Sequence, residues 1–353
     1  MTAGQRAMPG DRRAEAQTPS IAVWARLPSC MLLILLLSSG LRFYNLGTQS
    51  FWNDEGNTAR LVERPIRLII EGAAGDIHPP GYYLLLHTWR AAVGDSEYAL
   101  RAFSALCGVL TVAVAAAASR AAIGQRGHRL TIWATATLVA VHPLAVAYSQ
   151  EARMYAQLGL ASALTLWAAL VLVRRDARAT RRRHLLATLA LAAGVGLGLY
   201  TQYAYALALV GLNLAFSLYW LTARPWRWPL LSRWVVGHVL GGLLFAPWAP
   251  IALGARGWQP PDLATGEAFR ALTRTLLVGT TLPEGIAPIV LACACLVGLW
   301  TLVISLHARP GSATRFAAWA SLCMALVPLA LITAAGLYRP AYLKFLMVSV
   351  APL

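Results

Sequence analysis

Residues 81–94, GYYLLLHTWRAAVG, decide the topology of this chain. The stretch is apolar, but a helix rises about 1.5 Å per residue, so it spans about 21 Å against a hydrocarbon core of about 30 Å. A crossing here would place every later arginine cluster outside and the acids inside, reversing the preference of short arginine-rich loops for the cytoplasm. The stretch therefore reads as a helix lying in the interface, with Tyr82, Tyr83 and Trp89 as headgroup-level anchors.

Outward from this stretch, apolar runs long enough to span a bilayer recur along the chain. The composition is 58% hydrophobic and 12% charged, with a mean hydropathy of +0.58. Soluble domains carry about 25% charged residues, because their surface faces water. An all-α, polytopic transmembrane helical bundle follows. Nine full spans are expected at about 27–46, 100–121, 130–147, 154–173, 185–201, 203–221, 234–253, 286–306 and 316–337. A tenth run, 341–353, stops after 13 residues, so the reading expects a C-terminus that is incomplete. Residues 1–20 read as a disordered cytoplasmic tail and 21–353 as one membrane domain. Residues 47–99 form its first extracytoplasmic loop, with interfacial helices in it. Residues 27–40 resemble a signal-peptide core, but no cleavage site follows and they read as a retained anchor.

The net charge of +16 is distributed by topology. Arginines gather in alternate loops: Arg6, Arg12, Arg13 and Arg26, then Arg120, Arg126 and Arg129, then Arg174 to Arg183. Arg224, Arg227 and Arg233 follow, then Arg309 and Arg315. Nearly all acids occupy the intervening loops. The positive-inside pattern accounts for the charge without nucleic acid, and gives a multi-pass protein of the plasma (inner) membrane with a cytoplasmic N-terminus. Cys30, Cys107, Cys293, Cys295 and Cys323 sit within apolar runs at no metal-ligand spacing and read as small buried hydrophobes.

The unusual polar residues converge on the outer ends of the spans. Asp54-Glu55 stands in FWNDEGNTAR, where Asn53 could cap a helix with acids in its first turn. A carboxylate there could also remove a proton from an acceptor hydroxyl or amine. His78-Pro79-Pro80 opens the interfacial helix, whose positive end suits an anion. Glu151 and Tyr155 lie one helical turn apart on the same face, with Arg153 pointing elsewhere. Arg101 and Arg339 open or follow spans on the side where arginine is disfavoured, as phosphate partners or snorkelling side chains.

In combination these motifs resemble the GT-C superfamily of membrane glycosyltransferases, on the bacterial branch of protein O-mannosyltransferases and lipid A aminoarabinose transferases. The resemblance rests on Asp54-Glu55, His78-Pro-Pro-Gly-Tyr-Tyr, Ser96 to Arg101, His142-Pro143 and Ser149 to Tyr155, and covers residues 40–205 best. It implies inverting transfer of a sugar from a polyprenyl-phosphate-linked donor to an envelope lipid, glycan or protein acceptor outside the cytoplasm. Asp54 would be the base with Glu55 beside it. His78, Arg101, Glu151, Arg153 and Tyr155 would line the donor phosphate and substrate cavity. Relatives carry Pro-Arg-Tyr at the last motif, where this chain has Pro340-Ala341-Tyr342, so Arg339 and Lys344 stand as replacement cations. One acidic pair in the first loop leaves a divalent metal open without requiring it, and no metal ligands are assigned. A polytopic transporter or lipid flippase is the alternative, although the span interiors carry few of the ionisable groups that mark translocation paths. A non-catalytic membrane scaffold is a third.

Overall fold

The computed structural model of the 353-residue chain describes residues 21–124, 129–175, 180–254, 264–279, 285–336 and 344–352. The expected tail at 1–20 lies outside the described residues. The described residues form helices joined by short turns, with no strand among them. In chain order these are α1 (Ile21–Phe43), α2 (Asn53–Val62), α3 (Ile66–Ala74), α4 (Gly81–Val93), α5 (Glu97–Ile123) and α6 (Arg129–Val141). Then follow α7 (Pro143–Ser149), α8 (Tyr155–Val173), α9 (Arg181–Thr201), α10 (Tyr205–Thr222) and α11 (Trp228–Phe245). The last are α12 (Ala249–Gly254), α13 (Thr265–Val278), α14 (Ala287–His307), α15 (Ala313–Ala334) and α16 (Met347–Val350).

Among the described residues seven helices are long and apolar enough to cross a membrane, or eight if the bent pair α6–α7 is one span. The chain is a multi-pass membrane protein. The first of the nine expected spans corresponds to α1, whose apolar stretch Ser29–Phe43 is shorter than the others. At the centre stands α8, 83% buried along its apolar window. Its Gly159, Ala161, Ser162, Ala163 and Ala168 let neighbouring backbones approach closely, as small residues do between membrane helices. It packs between α5 and α9, α15 lies against α10, and α14 sits outermost against α15. Residues 344–352 run into the bundle, where Ser162 Oγ donates to the Val348 carbonyl at 2.6 Å and Ser349 Oγ to that of Met324 at 2.7 Å. The cysteines depart from expectation: Cys107 and Cys323 are buried, while Cys293 and Cys295 are exposed on α14.

α4 has the expected length and ends on Gly94, whose φ of 97° is the left-handed conformation that favours glycine at a helix stop. Its aromatics do not serve as headgroup anchors. Tyr82 and Tyr83 are buried, the Tyr82 hydroxyl pairs with Ser104 Oγ at 3.1 Å, and Trp89 Nε1 donates to the Ala99 carbonyl at 2.8 Å. His87 bonds the last carbonyl of α2, that of Val62, at 2.7 Å. α4 is thus a packed layer over α5 rather than a helix floating in lipid.

The third expected span is broken by 53° between α6 and α7. Pro143 has no N–H, so the carbonyl four residues earlier, on Val139, loses its helical donor. In a bilayer a freed carbonyl needs a partner from within the protein. Arg42 supplies it from α1: NH1 donates to the Ala140 carbonyl at 2.8 Å and to Ser38 Oγ at 2.9 Å, and NH2 to the Val139 carbonyl at 3.3 Å. The side chain is fully buried. It passes Gly108 of α5, where a Cβ would meet Arg42 Nε at 2.6 Å and collide with Ser149 Oγ, so only glycine leaves the channel open.

Arg42→Met is therefore expected to orphan two carbonyls at about 1–3 kcal/mol each. Thermal unfolding in detergent, followed by labelling of the buried thiols Cys107 and Cys323, should show a lowered midpoint for Arg42→Met and Gly108→Leu. Ser38→Ala should lower it much less.

Candidate active site

Asp54 and Glu55 are neighbours on α2, and successive helical positions point about 100° apart. Glu55 is therefore turned into the bundle while Asp54 remains partly exposed. Glu55 is 1% exposed and receives Arg101 bidentately, Nε to Oε1 at 2.9 Å and NH2 to Oε2 at 2.7 Å. The Ala152 N–H donates to Oε1 at 2.7 Å and the Trp52 N–H to Oε2 at 3.4 Å. This last bond makes Trp52, not the expected Asn53, the cap of α2. Arg101 sends its remaining donors to the carbonyls of Leu46 (2.9 Å), Gln49 (2.7 Å) and Ser50 (3.2 Å). All five guanidinium N–H groups are then engaged. The geometry reassigns both residues: Glu55 has no oxygen free to take a proton, and Arg101 has no donor free for a phosphate. They lock the loop after α1, α2, α5 and the turn before α8 into one unit.

Asp54 is free of that lock, its side chain 31% exposed. Its Oδ2 lies 3.6 Å from Arg153 NH2 and 3.8 Å from Lys344 Nζ. Both distances are longer than a charge-assisted hydrogen bond, so the carboxylate is attracted but not saturated. Residues 150–154 form a turn rather than the expected first turn of a helix, and α8 starts only at Tyr155. Arg153 consequently does not point away from the cavity. It is buried, donates through NH1 to Thr58 Oγ1 at 3.0 Å, and lies 5.9 Å from the Tyr155 ring centroid. Lys344 Nζ stands 5.0 Å from the same ring. The turn is held to α1 by Gln150, whose Nε2 donates to the carbonyls of Leu41 at 3.0 Å and Tyr44 at 3.2 Å.

His78 is 7% exposed, and its Nδ1–H donates to Asp76 Oδ2 at 3.0 Å. Burial pushes the imidazole below its ordinary value, against the pull of Asp76. Burial works the other way on Asp76, but the His78 hydrogen bond and charge hold its carboxyl below the ordinary range. The pair is a carboxylate orienting a neutral imidazole, close enough to Arg153 and Lys344 to feel their charge. The sequence reading lacked Asp76 as a site residue, although its position two residues before His78 was a usable signal. Burial, and then the charge of Glu55, push Glu151 up to about 7. Its Oε2 and the Arg153 Nε are buried without a hydrogen-bond partner. Such orphaned polar atoms close to the partly exposed Asp54 are groups a ligand can satisfy.

Asp54, Asp76, His78, Glu151, Arg153, Tyr155 and Lys344 thus gather at one end of the bundle, from four separate stretches of chain. Arg339 lies outside the described residues. Among the described residues no three His, Cys, Asp or Glu side chains converge closely enough to share a metal ion.

Residues 77–251 match the family model of dolichyl-phosphate-mannose-protein mannosyltransferases. No curated protein sequence matches the chain. The fold is similar to that of solved structures. ArnT from Cupriavidus metallidurans bound to undecaprenyl phosphate superposes with a TM-score of 0.61 at 15% identity, over 94% of this chain and 59% of that one. The oligosaccharyltransferase of Archaeoglobus fulgidus, tethered to an acceptor peptide, gives 0.60 at 14% identity over 93% and 49%. AglB from the same organism, in complex with an inhibitory peptide and a dolichol-phosphate, gives 0.57 at 14% over 94% and 50%. The chain spans three-fifths or less of the length of these structures. The family-model match and the shared fold agree with the resemblance read from the motifs.

The two acids should separate in stability measurements. Glu55→Gln breaks a buried pair, a change that costs about 3–5 kcal/mol. Asp54→Asn should leave the unfolding midpoint within a degree or two. The reverse order would exchange their roles. Glu151 adds a pH signature. Its folded value, about 7, lies above the ordinary 4.5. Its contribution is therefore complete below pH 4.5 and is lost as the pH rises through 7. Glu151→Gln should flatten the decline of the unfolding midpoint across that window.

Proposed function

We propose that this protein transfers a sugar from a polyprenyl-phosphate donor to an acceptor hydroxyl or amine, with Asp54 as the base. The observation that carries the reading is the clamp on Asp54: one partly exposed carboxylate facing two cations, Arg153 and Lys344, at 3.6 and 3.8 Å. Displacement at an anomeric carbon needs this pairing of charges. Asp54 takes the acceptor proton while the acceptor heteroatom forms its bond to the anomeric carbon. The carbon–oxygen bond to phosphate breaks, and the electron pair leaves on the polyprenyl phosphate. Arg153 and Lys344 stabilise the negative charge that grows on that phosphate, and a donor anion would draw them off Asp54 and free it to act as a base. Attack opposite the leaving group inverts the anomeric configuration. His78, oriented by Asp76, and Glu151 line the cavity around the donor.

The donor class is supported by the match to a dolichyl-phosphate-mannose family model and by solved relatives bound to undecaprenyl phosphate and dolichol-phosphate. A lipid-borne donor also suits a site that lies at one end of a membrane bundle. Positive-inside distribution supports an orientation with that end outside the cytoplasm, and the proposed reading takes the membrane to be the plasma membrane. A reporter fused at residue 75 should accordingly read on the opposite side from one at residue 178.

Purified protein in vesicles, given a polyprenyl-phosphate sugar and envelope extract, should transfer the sugar. Asp54→Asn should lower the rate by about 10²–10⁴-fold, the usual range for removing a general base. An unchanged rate in Asp54→Asn sinks the base assignment. Solute flux or lipid movement without transfer would favour a transporter or flippase.

A further inference from the structure

At the opposite end of the bundle α10 and α11 line a groove of about 430 Å³. We propose that this groove is a specific site for one anionic glycerophospholipid, with an acyl chain between the helices and its phosphate at Arg224. The inference does not rest on the transferase reading.

The walls are apolar and aromatic: Phe216, Trp220 and Leu221 from α10, and Leu231 and Trp234 from α11. Phe216 and Trp234 stack with centroids 3.9 Å apart and form the floor. Two polar residues line the groove, but their groups are already engaged. Asn213 Nδ2 donates to the Leu209 carbonyl at 2.8 Å and to His238 Nε2 at 3.2 Å, and its Oδ1 accepts from Trp234 Nε1 at 2.9 Å. His238 Nδ1 bonds the Trp234 carbonyl at 3.0 Å, which sets the tautomer that leaves Nε2 as an acceptor. Ser217 Oγ donates to the Asn213 carbonyl at 2.9 Å. With these groups internally satisfied, the groove offers an occupant hydrocarbon contact. That is the chemistry of an acyl chain.

The mouth is different. Trp220 packs on Trp226 and Trp228, with centroids 6.5 and 5.9 Å away, and both outer indoles are exposed. Arg224 is exposed, and its guanidinium lies over the Trp226 ring at 4.2 Å. A cation–π contact with the ring holds the guanidinium in place and leaves donors for another group. Arg183, Arg227 and Arg233 gather around His184 on the adjacent α9, so the local field is strongly positive. Tryptophans with arginine at a helix end mark the headgroup level, and basic pockets between membrane helices suit anionic lipid. Charge complementarity thus selects an anionic lipid over a zwitterionic one, while the apolar groove selects a chain-bearing ligand over a free anion. A polyprenyl-phosphate donor reaching the Asp54 cavity would carry its phosphate at the other end of the bundle.

Native mass spectrometry of the purified full chain tests this with three probes: phosphatidylglycerol, phosphatidylcholine with the same chains, and inorganic phosphate. One phosphatidylglycerol should be retained with about fivefold higher affinity than phosphatidylcholine, the scale of one arginine near an anionic headgroup. Arg224→Gln should abolish the preference while leaving weak binding of both lipids. Ser217→Trp, which fills the groove from an exposed position, should abolish retention of both, with an unchanged unfolding midpoint as the control for folding. Equal retention of the two lipids overturns the proposal, as does a preference that survives Arg224→Gln. Adducts that persist in Ser217→Trp, or an equal adduct with inorganic phosphate, overturn the seating of the chain in the groove.

Discussion

The pair between Glu55 and Arg101 is the joint at which the membrane bundle becomes a site. Arg101 belongs to α5, a spanning helix, and Glu55 to α2, a short helix in the loop. Their bidentate contact would be costly to bury alone, since both ions leave water. It is sustainable because every remaining valence is filled: loop carbonyls take the other Arg101 donors, and the Ala152 and Trp52 amides take the other Glu55 lone pairs. The Ala152 amide belongs to the turn that carries Glu151 and Arg153. One pair therefore sets the distance between the Asp54 side of the cavity and the Arg153 side.

A second constraint comes from the bilayer. Pro143 breaks the third span, and a broken helix is tolerated at membrane depth only where its freed carbonyls are paired. Arg42 pairs them with a side chain from α1, and the gap at Gly108 lets it through. The break then aims α7 so that its end delivers residues 150–154 to the loop. The buried arginine and the buried ion pair act in series: one orients the helix and the other holds the turn at its end.

Within this frame the remaining charges are not saturated. Asp54 faces two cations at distances too long for tight bonds, Glu151 is raised toward neutrality by burial, and His78 is kept neutral beside Asp76. Groups whose environments push their values apart are suited to exchanging protons and holding an anion together. The opposite end of the bundle has the reverse character, with polar groups internally satisfied in the α10–α11 groove and arginines at its rim.

Much of the architecture was legible in the residues, because span length and arginine placement are one-dimensional signals. The order of the spans, the short α4 and the gathering of polar motifs at one end all follow from them. Other features were not legible, for reasons that are geometrical. An arginine ending an apolar run has the same pattern whether it snorkels or, like Arg42, caps a broken helix. Tyr82 and Tyr83 would have the same spacing at a headgroup layer as they have when packed on α5. Helical periodicity turns Arg153 away from Glu151 and Tyr155, but residues 150–154 form a turn to which that periodicity does not apply. Lys344 had only its rarity to recommend it. By itself the sequence determined that this is a membrane bundle and singled out Asp54 and Glu55 as candidates, since hydropathy and charge are properties of residues. Only the tertiary structure decided that Glu55 is consumed in holding Arg101 while Asp54 stays partly exposed beside Arg153 and Lys344. That choice depends on which way each neighbour points, and direction exists only once the helix has packed.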